Sequence, residues 1–173
     1  MRTLQLPRTR RRLELRSSAG VVVEANADGA LTRLEALGHS LLLHPATGIE
    51  AGPANVHLRV LEDGSARRTA LLGERSPSAV TEVDGTLQAS GTWAGLDYRL
   101  TLVLADDEPA WSWHLEVTNR RDEPVRIDAV LTHDPALAPP GAVANNQYYV
   151  SQYLDLTPID TPEHGVALGV RQN

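Results

Sequence analysis

A chain of 173 residues with a net charge of −6 and no cysteine can bury a real core unaided, and it excludes disulfides, thiolate metal sites and a cysteine nucleophile. All 16 basic residues are Arg, and the acidic balance argues against nucleic-acid binding, because phosphate contacts need a concentrated positive field. No apolar run reaches membrane-spanning length and no secretion signal opens the chain, so the expectation is a soluble, cytoplasmic β-domain over residues 1–173, or part of one.

Residues 1–10 are expected to form a tail, and the basic run RTRRR from Arg8 to Arg12 a solvated lead into the first strand rather than a binding arm. RLELRS, GVVVEANADGALTRLEA, HSLLLHP, NVHLRVLE and RRTALL then predict short strands, with Asp28-Gly29 and Asp63-Gly64 as turns. From Val80 to Leu131 the pattern sharpens. TEVDGTLQ sets Asp84-Gly85 between two alternating runs, a strong hairpin signal. LDYRLTLVLA places Leu96, Tyr98, Leu100, Leu102 and Leu104 on one face, opposite Asp97, Arg99 and Thr101.

ADDEP turns the chain at Pro109, and WSWHLEV puts Trp111, Trp113, Leu115 and Val117 inward. After NRRDEP, VRIDAVL is expected to present Val125, Ile127, Ala129 and Leu131 to the same interior as the third long strand of a β-meander. No window of helical length shows a sustained 3.6 period with start and stop signals. About a dozen strands and no helix predict an all-β, antiparallel sandwich or barrel. A Pro-rich loop over residues 135–146 interrupts the rhythm and feeds into NNQYYVSQYLDL, Asn145 to Leu156.

Catalytic constellations are missing from the pattern. There is no GxSxG elbow and no phosphate-cradling GxxxxGK[ST], and the six His show no metal-ligand spacing, so no cofactor and no metal site are expected. His133 and Asp134 predict a local hydrogen bond before Pro135, and Asp106, Asp107 and Glu108 a solvated turn. His57, His114 and His133 are the histidines available to a mutarotase-like site, but no spacing pairs any of them with a carboxylate.

The polar-aromatic stretch stands out, because amides offer donor and acceptor together and Tyr offers a ring face and a hydroxyl. Read as a strand, it sets Tyr149, Ser151, Tyr153 and Asp155 on one face. Tyr148, Val150, Gln152, Leu154 and Leu156 take the other, with Val150, Leu154 and Leu156 inward. The alternative is that Asn145 and Asn146 form a turn and the tyrosines cover a sheet edge.

Four segments in order, GVVVEANADGALTRLEA, LLLHPATGIEAGPANVHLRV, NNQYYVSQYLDL and HGVALGVRQN, resemble the N-terminal β-sandwich region of glycoside hydrolase family 94. The likeness is to 1,2-β-oligoglucan phosphorylases and the phosphorylase modules of cyclic β-1,2-glucan synthases, with cellobiose phosphorylases more distant. It implies a supersandwich fold similar to galactose mutarotase, preceding an (α/α)6 barrel that carries the catalytic Asp for inverting phosphorolysis. The amphipathic helices of such a barrel are not in this sequence, so no residue here is assigned the catalytic acid, Asp155 and Asp160 included. The implied role is non-catalytic: structural, and a contributor to a β-glucan cleft. The residues expected to contact an oligosaccharide are Asn146, Gln147, Tyr149, Gln152 and Tyr153, with Arg171, Gln172 and Asn173 beside them. A family sandwich continues past the point matched by Asn173, so the expectation is either a shortened gene product, partnered by the catalytic barrel in the full enzyme, or a homodimer through a sheet edge. A stand-alone carbohydrate-binding module and a mutarotase-like sugar epimerase are the alternative functions.

Overall fold

A computed structural model describes residues 12–62 and 64–173. The proposed tail, most of the basic run and Asp63 of the Asp63-Gly64 turn lie outside the described residues. The fold is all-β and sandwich-like, with antiparallel pairing throughout.

The first sheet runs β1 (Leu13–Arg16), β2 (Val21–Ala25), β3 (Leu31–Ala36) and β4 (His39–Ser40) in order. A second sheet joins β5 (Asn55–Glu62) to β6 (Ser65–Ala70). The third is a meander of β7 (Ser78–Val83), β8 (Thr86–Trp93), β9 (Leu96–Leu104) and β10 (Trp111–Asn119), which holds two of the three long strands expected to form one. Alternation places Leu96, Leu100 and Leu102 of β9 fully inside, where they meet Leu58 and Val60 of β5 and Val21 and Val23 of β2 in one core. Each such Leu stabilises by about 2–3 kcal/mol through area removed from water. Trp111, Trp113, Leu115 and Val117 are half-buried against that core, as their shared face predicts.

Among the described residues, three tight hairpin turns hold positive φ at both central residues: Leu37-Gly38, Asp84-Gly85 and Ala94-Gly95. This backbone twist suits two-residue hairpins. Only Asp84-Gly85 carries a side-chain pair that announces it.

Four expectations are corrected. The strand over VRIDAVL is β11 (Arg126–Thr132), and it leaves the meander to pair with β5, giving the sheet order β11-β5-β6. The pairing sets Arg59 opposite Asp128, whose carboxylate accepts from the guanidinium Nε at 2.6 Å and from a terminal nitrogen at 2.5 Å. Ile127, Ala129 and Leu131 lie in register with the buried Val60, Leu58 and Val56, but β11 is the edge of its sheet. Its apolar row is therefore exposed instead of interior, Leu131 to 59%.

HSLLLHP is strand only at His39–Ser40. Beyond it the backbone bonds irregular partners: Leu41 N–H donates to Leu34 O at 2.8 Å and Leu43 N–H to Asp134 O at 2.9 Å.

The Pro-rich loop and the polar stretch hold two short helices, α1 (Pro140–Asn145) and α2 (Gln147–Ser151). With six and five residues, neither completes enough turns to print a 3.6 period on the sequence. Proline in the first turn of α1 lacks only an N–H that no helix start uses. Val143 and Val150 pack with Leu43, Ala136 and Ala138 into a second, small core.

Strand structure resumes only at β12 (Leu154–Thr161), which pairs with β13 (Gly165–Gln172) and with no other described strand. Val150 is buried as expected, but Leu154 is half-buried and Leu156 is exposed, because no second layer covers this hairpin among the described residues. No helix among the described residues is long and apolar enough to cross a membrane.

Candidate functional site

The helical turn after α1 brings two tyrosines of the polar-aromatic stretch together. Tyr149 sits on α2 and Tyr153 just beyond it, four residues on, so one helical turn stacks their side chains. Their ring centres are 4.8 Å apart at 52°, and the Tyr153 hydroxyl donates to the Tyr149 hydroxyl at 3.1 Å. A strand would also have put these two on one face, but about 13 Å apart, so their contact is a product of the helical turn.

The β12–β13 register then returns the end of the chain to this spot. Leu154 lies opposite Gln172, and the Asn173 N–H donates to Tyr153 O at 2.8 Å. The Asn173 side-chain amide donates to Asp155 Oδ2 at 2.7 Å, with the Arg171 guanidinium 3.4 Å from the same oxygen. Gln172 Nε2 reaches Val150 O at 3.4 Å. Tyr149, Tyr153, Gln172 and Asn173 thus rim a shallow cleft of about 300 Å³ whose apolar wall is Leu137, Pro139 and Ala142. The hydrogen bond to Tyr149 favours the protonated Tyr153 phenol and pushes its pKa up, so it is a neutral donor at ordinary pH. Ring faces, a phenol and amides are the groups that match a hydroxyl-rich ligand.

The other expected contacts are placed elsewhere. Asn146 closes α1 and caps α2, where its side-chain oxygen accepts from Tyr149 N–H at 3.0 Å. That is a capping role of the usual kind for Asn. Gln152 is the exposed C-cap of α2. Gln147 points to the opposite side of the helical segment and lines a second cleft of about 450 Å³. Arg171 is exposed on β13 and pairs with Asp155.

Among the described residues, His114 and His133 hydrogen-bond groups other than carboxylates. His133 Nε2 lies 2.8 Å from Leu41 O, and His114 Nε2 lies 2.8 Å from Ser112 Oγ. The expected His133-Asp134 bond is replaced by a long-range one: Asp134 hydrogen-bonds His44 Nδ1, because the Leu43–Asp134 backbone contact brings the two segments side by side. His57 is partly buried near Arg68, and both effects disfavour its protonated form and lower its pKa. Among the described residues no group of three or more His, Asp or Glu is arranged to hold a metal ion.

The second cleft was missed in the sequence, and a signal for it exists. In LTRLEA the buried positions are 31, 34 and 36, a step of three followed by a step of two. That break in alternation marks a β-bulge in β3, where Thr32 is the extra residue opposite the step from Glu24 to Ala25 of β2.

The family model described as the SOGP N-terminal domain matches residues 24–173. No curated protein matches the chain.

Proposed function

The chain belongs to the SOGP N-terminal domain family, and we propose that it is a non-catalytic β-sandwich domain of a cytoplasmic β-glucan phosphorylase, of the kind acting on 1,2-β-oligoglucans. Its role is structural, and it contributes a carbohydrate contact surface, while phosphorolysis belongs to an (α/α)6 barrel that acts as its partner. Support for the phosphorylase comes from the four segments that resemble glycoside hydrolase family 94. The carbohydrate contact rests on one observation: Tyr149 and Tyr153 stack 4.8 Å apart beside the Gln172 and Asn173 amides on a shallow cleft. Apolar ring faces take the C–H side of a pyranose while the amides and the Tyr153 phenol exchange hydrogen bonds with its hydroxyls.

Titration of the chain with short β-1,2-gluco-oligosaccharides, followed by tyrosine fluorescence and by amide NMR, tests this reading. Saturable changes at Tyr149, Tyr153 and Asn173, lost in a Tyr149→Ala/Tyr153→Ala variant that keeps its fold, are the expected outcome. No change at millimolar sugar removes the contact role and leaves the structural one.

A homodimer is a second reading, favoured by the β12–β13 hairpin. Register places Leu156, Pro158, Val166, Leu168 and Val170 on one face, with Val166 exposed to 71% and Leu168 to 62%. An isolated two-stranded ribbon is marginal in water, and Pro158 blunts the outer edge of β12, leaving that of β13 for a partner strand. A second copy adding its own strand there is expected to give a dimer in light scattering that Leu168→Asp returns to monomer. A monomer at high concentration sinks this reading.

A further inference from the structure

We propose that the cleft between the outer face of the first sheet and the α1–α2 segment is a second binding site, for an uncharged polyhydroxylated ligand such as a glycosyl unit. It is distinct from the tyrosine cleft: Ala142 and Tyr149 line that one, whereas Ala144 and Gln147 line this one, across the same pair of helices. The bulge in β3 builds it. Because Glu24 pairs with Arg33 while Ala25 pairs with Leu31, Thr32 is the extra residue, and Thr32 and Arg33 both turn outward from adjacent positions.

Arg33 then spans two carboxylates, donating to Glu24 Oε1 at 2.9 Å and to Glu35 Oε2 at 2.6 Å. The Glu24 and Glu35 side chains are only 19% and 13% exposed, so they are fixed rather than waving in solvent. A second guanidinium, that of Arg12, lies 3.9 Å from Glu24 Oε2. Two cations facing two anions leave no net charge to recruit an ion. What the cleft offers is a dense set of donors and acceptors: the carboxylate oxygens, the Gln147 amide on the far wall and the Thr32 hydroxyl at the base.

Thr32 Oγ1 and Arg33 Nε are buried and make no hydrogen bond among the described residues. Such groups cost stability unless something pairs them, and a ligand hydroxyl does so without bringing a charge. The volume of about 450 Å³ lies within the usual range for small-molecule sites. For the ligand class alone, the inference rests on the carbohydrate reading above, and the two sites report on separate residues.

Amide NMR of the full chain tests it, with D-glucose and a β-1,2-linked glucobiose as probes. Saturable shifts are expected at Thr32, Arg33 and Gln147, weakened at least about tenfold in affinity by Thr32→Val or Gln147→Ala and recovered in Thr32→Ser. The Tyr149→Ala/Tyr153→Ala variant is expected to leave these shifts unchanged. If those three amides shift while Tyr149 and Asn173 do not, this site stands and the tyrosine cleft falls. Shifts confined to the tyrosine cleft, or unchanged affinity in Thr32→Val and Gln147→Ala together, overturn the proposal. Saturation of the same amides by inorganic phosphate or by calcium, with no response to sugar, overturns it as well.

Discussion

The Tyr153 hydroxyl donates to the Tyr149 hydroxyl at 3.1 Å, so the two phenols behave as one unit rather than as two surface tyrosines. Donation stabilises the protonated form of Tyr153, and the neighbouring phenol repels a second negative charge. Tyr153 is therefore expected to ionise above the ordinary tyrosine value of 10.0. In Tyr149→Phe the acceptor is gone and its pKa is expected to fall back, as followed by carbon NMR of the ring during an alkaline titration. An unmoved pKa in that variant breaks the link between the two hydroxyls.

Asn55 is the buried polar residue of the described core, and it satisfies both sides of one peptide position. Its amide donates to Leu72 O at 2.9 Å and its oxygen accepts from Leu72 N–H at 3.1 Å. Asn55→Ala leaves two buried backbone groups unpaired, a loss on the order of 2–3 kcal/mol. The urea midpoint is expected to fall with its slope unchanged, and Asn55→Leu, which restores apolar volume but neither bond, is expected not to recover it.

Gly91 is required by packing, not by backbone freedom. A Cβ there would stand 2.7 Å from the Tyr98 hydroxyl oxygen and nearer still to the Pro77 carbonyl. The same Tyr98 hydroxyl lies 2.7 Å from Ser78 Oγ, which itself donates to Leu71 O at 2.6 Å. Gly91→Ala must displace this chain of bonds and is expected to cost about 1–3 kcal/mol in thermal or denaturant unfolding. Tyr98→Phe in the Gly91→Ala background relieves one of the two clashes and is expected to cost less than the sum of the single changes.

Burial and Arg68 hold the His57 pKa below its ordinary value of 6.5 in the folded chain. The unfolded chain therefore binds the proton more readily between the lowered value and 6.5. Stability from this group is present above pH 6.5 and is lost as pH falls through that window. Unfolding midpoints measured across the window are expected to drop less in His57→Gln than in the parent. Equal slopes would remove His57 as a contributor.

How far the sequence carried depended on the range of the interaction. β9 and β10 were legible because alternation is a local consequence of one wet and one dry face, and Leu96 to Leu104 obey it without a break. The Asp84-Gly85 hairpin was legible because its turn needs positive φ at two neighbours, which few residue pairs accept. Tyr149 and Tyr153 could be placed on one face because strand and helix agree on that, whereas their contact needs the helical turn, since a strand holds such residues about 13 Å apart.

The rest was decided by contacts between residues far apart in the chain. Whether Arg126–Thr132 extends the meander or joins β5 depends on a seven-residue register with a strand some 69 residues away, of which the Asp128–Arg59 pair is one contact, and alternation is the same in either sheet. Helices of five and six residues owe their existence to the small core around Leu43, not to a period they are too short to display. The tyrosine cleft needs Asn173 folded back against Tyr153, and the second cleft needs α2 laid over the bulge at Thr32. The sequence by itself determined the class of fold and which strand faces are apolar, since both follow from neighbours along the chain. Only tertiary structure decided which edges meet and which polar side chains converge, because those depend on long-range register, to which a local pattern is blind.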